Sequence, residues 1–254
     1  MPKRLLLATL LTALSFSVAA GPETQPPHQR PLRIFVLKDS PFMSYRNEGG
    51  VLTGFHVDLA NLICEELKMP CDIKETLLAN IVDEVSAGQA DIGIAALTVT
   101  SERWRKVLFS APYIHGKTVW LSRSSMAQSR GFRIAVVEGS TQHAWSAKKG
   151  ESHGWTIVPV KVNGELVAAL DAGRADAIVS PFPSAMSILK SRGFGKVELR
   201  LDPIDDPEVS TPQSMAVNPK KPDLLEQLNS VLDNIKTNGK MDQINSKYFP
   251  FRIF

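Results

Sequence analysis

An arginine stands three residues past a threonine in Asp91-Ile-Gly-Ile-Ala-Ala-Leu-Thr-Val-Thr-Ser-Glu-Arg103. The apolar run reads as a strand entering a capped helix, with Thr100 as N-cap and Arg103 in the first turn. The helix dipole opposes a cation at that end, so Arg103 makes most sense with an anion in front of it. Backbone amides at the same terminus point at the same anion, and a guanidinium holds a carboxylate through two parallel hydrogen bonds. The competing reading is a surface arginine satisfied by water or a nearby Glu. Other chemistries leave no trace: there is no nucleophile elbow, no clustered His/Cys/Asp ligand set and no phosphate-binding Gly-rich loop. No catalytic residue, metal site or cofactor is expected. The histidines are scattered at 28, 56, 115, 143 and 153, and His143 alone falls near an expected cleft loop.

The elements that must position Arg103 alternate along the chain. Arg33–Leu37 reads as a strand, His56–Leu67 as a helix and Asp72–Glu75 as a strand. Ile81–Ala87 follows as a helix and Asp91–Ala95 as a third strand. Strands separated by helices imply parallel β-α-β units and an α/β sheet. The chain then nearly repeats itself. Glu84-Val-Ser-Ala-Gly-Gln-Ala-Asp-Ile-Gly-Ile-Ala95 is echoed by Ala169-Leu-Asp-Ala-Gly-Arg-Ala-Asp-Ala-Ile-Val-Ser180. Each copy ends a helix at a Gly (Gly88, Gly173), then runs through Ala-Asp into a buried strand. The repeat suggests two related α/β lobes, the second opening near Phe132-Arg-Ile-Ala-Val-Val137. About 225 mature residues suffice for two.

Ligands of open α/β sheets bind beyond the carboxyl ends of strands. That rule selects Ala96, Leu97 and Thr98 with Arg103, then Gly139-Ser140-Thr141-Gln142, then Ser180-Pro181-Phe182-Pro183. Facing lobes would bring all three segments to one cleft, with Phe42, in the turn after the first strand, on its wall. The tryptophans are expected in packing roles. Trp104 should pack inward or against the sheet, and Trp120 should lie near the hinge.

Residues 1–20 carry the pattern of a secretory signal: Lys3 and Arg4, an apolar run from Leu5 to Val18, and Val18-Ala19-Ala20 before Gly21. The apolar run is too short for a confident membrane span, and the absence of a cysteine at the cleavage site argues against a lipid anchor. A soluble protein exported to a bacterial periplasm is the expectation, with 21–31 as a flexible leader. The formal net charge is +3; losing Lys3 and Arg4 takes it to about +1, which gives no electrostatic reason to expect nucleic acid or anionic membrane as a partner. Cys64 and Cys71 fit a disulfide in an oxidising compartment, with two buried free thiols as the alternative.

Taken together these residues resemble the periplasmic amino-acid-binding proteins of ABC importers, the family 3 extracellular solute-binding proteins. The segments that carry the resemblance are Gly54-Phe-His-Val-Asp-Leu59, Asp91–Arg103, Phe109-Ser-Ala-Pro-Tyr113, Val137-Glu-Gly-Ser-Thr141 and Gly173-Arg-Ala-Asp-Ala177. The cysteine spacing matches the disulfide of the basic-amino-acid and histidine binders in that family. The resemblance implies a type II periplasmic binding protein, two open α/β sheets joined by a two-strand hinge. Lobe 1 would comprise 31–121 plus 214–254 and lobe 2 would comprise 122–213, with crossovers near Thr118–Leu121 and Ser214–Val217. It implies that Arg103 holds a ligand carboxylate, with Ala96 and Thr98 from lobe 1 and the amides of Ser140 and Thr141 from lobe 2. Phe42 would form one side-chain wall, and Leu78 takes the opposite wall, where the family often has an aromatic residue.

The departure is Pro181, where amino-acid binders of the family usually place an Asp for the α-ammonium. Either another acid substitutes, Asp39 first and Glu138 second, or the ligand has no α-amine. The implied role is capture of a small carboxylate, an amino acid first among the options, by a monomer that serves an ABC permease in the inner membrane. Two other readings stay open: an enzyme resembling cyclohexadienyl dehydratases with a cleft carboxylate as acid, and a sensor that serves no importer.

Overall fold

The computed structural model describes residues 30–123, 131–191 and 199–254. The expected export signal and the leader as far as residue 29 lie outside the described residues. Among the described residues no helix is long and apolar enough to cross a membrane.

The chain opens with strand β1 (Leu32–Leu37), then the hairpin β2 (Tyr45–Arg46) and β3 (Leu52–Thr53), helix α1 (Phe55–Glu66), β4 (Cys71–Thr76), α2 (Leu78–Ser86), β5 (Ile92–Thr98), the short α3 (Ser101–Trp104) and β6 (Leu108–Phe109). β4, β1 and β5 are neighbours in parallel, as strands joined by helices must be. Helices cover both faces of this sheet, so β5 is apolar and almost wholly buried rather than alternating. One face packs against α1 and the other against α2.

A crossover leads to a second sheet built from β7 (Thr118–Ser122), β8 (Arg133–Val137), β9 (Thr156–Val160), β10 (Ala177–Pro181) and β11 (Arg200–Ile204), in the order β11-β7-β10-β8-β9. Its helices are α4 (Thr141–His153), α5 (Asn163–Asp171) and α6 (Phe182–Ser191). Trp145 of α4 packs on one face with Trp120 and Trp155, while α5 and α6 pack on the other. Both edge strands contain a proline, Pro159 in β9 and Pro203 in β11, where a missing N–H leaves no ladder bond unmade.

The chain then returns. β12 (Gln213–Val217) runs antiparallel between β5 and β6 of the first sheet, and α7 (Pro222–Thr237) and α8 (Lys240–Tyr248) pack beside α1. Two crossover segments therefore join the lobes, and they pair through an antiparallel bridge between Ile114 and Gln213. Gly116 lies so close to the Thr211 carbonyl that no Cβ would fit between them. The crossover boundary differs from the expected one: Thr118–Ser122 is an inner strand of the second sheet, paired with β10 and β11. Its apolar run is long enough to read as either a link or a core strand, and the second sheet supplies partners on both sides.

Cys64 of α1 and Cys71 of β4 form a disulfide with Cα atoms 5.9 Å apart. Trp104 corrects the inward-packing expectation: it is 69% exposed, because α3 is only four residues long and buries no side chain.

Candidate functional site

A cavity lies between the lobes at the carboxyl ends of the parallel strands of both sheets; with its open mouth it spans about 640 Å³. Leu78, Ala96, Leu97, Thr98, Arg103, Ser140, Thr141, Ser180 and Pro181 line it, all from segments singled out in the sequence. Thr100 caps α3 as its spacing required, accepting the Arg103 N–H at 3.2 Å, and Ser140 caps α4 by accepting the His143 N–H at 2.9 Å.

Arg103 is the only charged side chain among the described residues that line the cavity. Its Nη1 donates to the Thr98 carbonyl (3.0 Å) and its Nη2 crosses the cleft to the Gly139 carbonyl (2.8 Å). These two bonds fix the plane of the guanidinium and leave three of its five N–H groups to a ligand. Burial pulls its pKa below the ordinary value, against a smaller opposite push from Glu102. The group stays protonated at any physiological pH. Such a cation has a strong electrostatic demand for an anion.

Backbone geometry adds to that demand. His56 lies in the first turn of α1, Leu78 begins α2, Thr141 begins α4, Asn163 begins α5, and Pro183 and Ser184 open α6. Each of these residues lines the cavity. Five helices thus start at one space and turn their positive dipole ends toward it. The lining carries no Asp or Glu among the described residues.

β5 contributes a shaped edge. The β5–β12 register slips between Ser214 and Ala216, and Ala96 adopts a left-handed φ of 50°. This turns the Ala96 N–H out of the ladder and into the Tyr113 hydroxyl at 2.9 Å. The same hydroxyl lies 2.9 Å from His56 Nε2. The buried hydroxyl proton has no other acceptor among the described residues, so Tyr113 is assigned as donor to Nε2, and the neutral imidazole then carries its proton on Nδ1. Burial pushes the His56 pKa down to about 3, which keeps the ring neutral.

Four expected residues sit elsewhere. Asp39 is exposed and lies against the start of α5, where its carbonyl accepts the Gly164 N–H (3.1 Å). Partial desolvation of its carboxyl against α5, with Glu165 and Glu75 nearby, raises its pKa. Asp39 has a left-handed φ of 45°, and its carboxyl lies against Gly164 of the other lobe, outside the lining. Phe42, also left-handed, lies beneath Lys190 of α6, whose Nζ is 4.5 Å from the ring centroid. Gly139 belongs to the rim: its φ is +74°, and a Cβ there would meet Ala79 Cα at 2.8 Å. Glu138, the second candidate acid, is ion-paired with Lys161 outside the lining, and that pairing lowers its pKa.

Ser40, His56, Asn163 and Gln213 are lining residues that the strand-end rule did not reach. Asn163 follows β9, whose internal proline obscures the strand signal. Gln213 belongs to the returning β12. His56 and Ser40 come from a helix start and a turn stabilised by tertiary contacts.

Two α/β lobes, two crossovers and a cavity between the lobes define a two-lobed periplasmic-binding-protein fold. The chain belongs to the bacterial extracellular solute-binding proteins, family 3, whose pattern matches residues 32–251. It is 27% identical over 253 residues to an L-arginine-binding protein of Pseudomonas aeruginosa, covering 96% of this chain and 97% of the other. A histidine-binding periplasmic protein of Salmonella typhimurium is 24% identical, with 85% of each chain covered. Among solved structures, an ancestral arginine-binding protein bound to arginine superimposes with a TM-score of 0.79 at 26% identity, covering 87% and 99% of the two chains. An ancestral amino acid-binding protein described as a precursor of cyclohexadienyl dehydratase gives 0.75 at 26% identity, covering 86% and 95%.

Proposed function

We propose that this solute-binding protein captures a small carboxylate between its lobes, without chemical change, and delivers it to an ABC permease. The observation that carries this reading is the interlobe cavity whose one charged lining residue, Arg103, has no acid partner within ion-pair distance among the described residues. In this reading Arg103 takes the carboxylate and the α4 amides at Ser140 and Thr141 bind it from the other lobe. Thr98 and the bulged edge of Ala96 and Leu97 hold it from the first lobe, while Leu78, Ser180 and Pro181 shape the remaining wall. Thr141 and Thr98, with hydroxyls 3.4 Å apart, would be brought together by closure of the lobes around the solute. Export to the periplasm fits the relatives named as periplasmic proteins and the N-terminal pattern. The relatives named for arginine bind a cation; here a ligand guanidinium would meet no acid in the lining, so arginine is disfavoured.

A thermal-shift screen of ligand-stripped protein tests the proposal. A carboxylate at a hundred times its dissociation constant adds about 2.7 kcal/mol of stability, and Arg103→Gln should abolish that shift. A shift that survives the substitution would remove Arg103 from the site. The likeness to a dehydratase precursor motivates a second reading as an enzyme, tested by incubating the protein with a prephenate-like ring acid. General acid catalysis needs a protonatable group within reach. The lining offers only a neutral, low-pKa His56, so no turnover is expected.

A further inference from the structure

We propose that the solute is a 2-oxo or 2-hydroxy acid rather than an amino acid, recognised at its α-oxygen by the Nδ1–H of His56. The inference rests on the reading of the cavity as the solute site and adds the class of molecule.

Charge is the first argument. An α-ammonium placed beside its own carboxylate would enter a space that holds Arg103, five helix N-termini and no carboxylate among the described lining residues. A buried charge without a partner is among the largest losses a site can suffer. At the end of β10, where a side chain could face the solute from the second lobe, stands Pro181, which offers neither charge nor N–H. The two acids offered by the sequence as substitutes stand outside the lining, Glu138 paired with Lys161 and Asp39 against the start of α5. Removing the ammonium from the ligand removes the conflict and keeps the carboxylate that Arg103 demands.

The second argument is independent of charge. Two buried polar atoms of lining residues have no hydrogen-bond partner: His56 Nδ1 and Gln213 Oε1. Both residues are at most 2% exposed, and native proteins seldom leave such groups unsatisfied. Because Tyr113 donates to Nε2, the His56 Nδ1 is a donor and asks for an oxygen. An ammonium could give an N–H to Gln213 Oε1 but would present N–H against N–H at His56. A 2-oxo group accepts that proton, and a 2-hydroxyl accepts it while donating its own to Gln213 Oε1. The rest of the lining, including Leu37, Met43, Leu78, Val137 and Val179, is apolar and suits a hydrocarbon side chain.

The test is calorimetric titration of unfolded-and-refolded protein with the leucine and phenylalanine skeletons. Each is offered as amino acid, 2-hydroxy acid, 2-oxo acid and unsubstituted carboxylate, with L-arginine beside them. For at least one skeleton the oxygenated acids should bind about tenfold more tightly than the unsubstituted carboxylate, the worth of one net hydrogen bond, and the amino acid should bind weakest. The 2-hydroxy acid exceeding the 2-oxo acid would add Gln213 as its acceptor; equal binding would leave His56 as the sole reader. His56→Met leaves Tyr113 a weak thioether acceptor and withdraws the donor, and should erase most of the tenfold preference. Pro181→Asp supplies the missing anion and should move the preference toward the amino acid. An amino acid binding as tightly as its oxygenated analogues overturns the inference, yet leaves the solute site standing if Arg103→Gln abolishes that binding. Carboxylates that all fail to bind would overturn both.

Discussion

Arg33 and Arg133 make the same contacts in the two lobes. Each stands within the first two residues of a strand, donates its backbone N–H to an Asp carboxylate (2.9 and 2.8 Å) and lays its guanidinium along the same carboxylate, Asp91 in one lobe and Asp176 in the other. The Ala-Asp repeat showed the acids, but their partners stand 58 and 43 residues away, so the pairs needed the folded sheets to appear. Asp91 is the more demanding of the two, at 1% exposure. Burial alone would raise its pKa, but hydrogen bonds from Arg33 and Lys221 outweigh it and bring the value down to about 2. The sign follows: a carboxyl depressed in the fold stabilises above its unfolded pKa of about 4 and loses that stabilisation as pH falls toward 2. Asp91→Asn should lower stability at pH 7 by about 2–3 kcal/mol, measured by urea unfolding. The variant should also show a smaller loss of stability between pH 4 and 2 than the parent protein.

At the scale of elements, the sequence exposed what local chemistry specifies. The cap at Thr100 and the strand ending at Val137 were legible because cap chemistry and apolar runs act within a few residues, whereas the third strand, read as Asp91–Ala95, runs on to Thr98. β9 was not legible, since Pro159 interrupts the apolar pattern, and an edge position tolerates what a sequence scan reads as a break. Missing β9 hid the start of α5, and with it Asn163, whose amide reaches Ser40 Oγ across the cleft at 3.2 Å. The Cys64–Cys71 disulfide is also an element-scale device: it ties the last turn of α1 to the first residue of β4 across a sequence separation of 7. Closing so short a loop contributes about 2–3 kcal/mol in the chain-entropy account. Reduction under native conditions, or Cys64→Ala with Cys71→Ala, should lower Tm by roughly 5–10 °C. It should leave affinity for a bound carboxylate nearly unchanged, because neither cysteine lines the cavity. Calorimetry of both forms, with and without the carboxylate, checks the two halves of this prediction.

At the scale of the molecule, the contacts between lobes are few and mostly ring the cavity. Arg103 meets Gly139, Asn163 meets Ser40, Gly164 meets Asp39, and Phe182 stacks near Phe251 with centroids 5.2 Å apart. Lys190 adds a clasp from α6, donating to the Tyr248 carbonyl at 3.0 Å while lying over the Phe42 ring. Phe42 therefore serves the contact between lobes where the resemblance implied a wall of the ligand pocket. A clasp outside the cavity sets how long the lobes stay together rather than what they select, since it touches no lining atom that distinguishes solutes. Lys190→Met keeps the apolar stem and removes the ammonium, with its hydrogen bond and its cation–π contact. Lys190 is exposed, so solvent screening limits the loss to about 1 kcal/mol. That corresponds to roughly fivefold faster solute release with little change in the association rate, as is usual for contacts formed after encounter. The three packed tryptophans of the second lobe, Trp120, Trp145 and Trp155, provide an intrinsic fluorescence signal for stopped-flow release measurements. The ranking of different carboxylates should be the same in the variant and the parent; a changed ranking would place Lys190 among the groups that read the solute and not on the clasp.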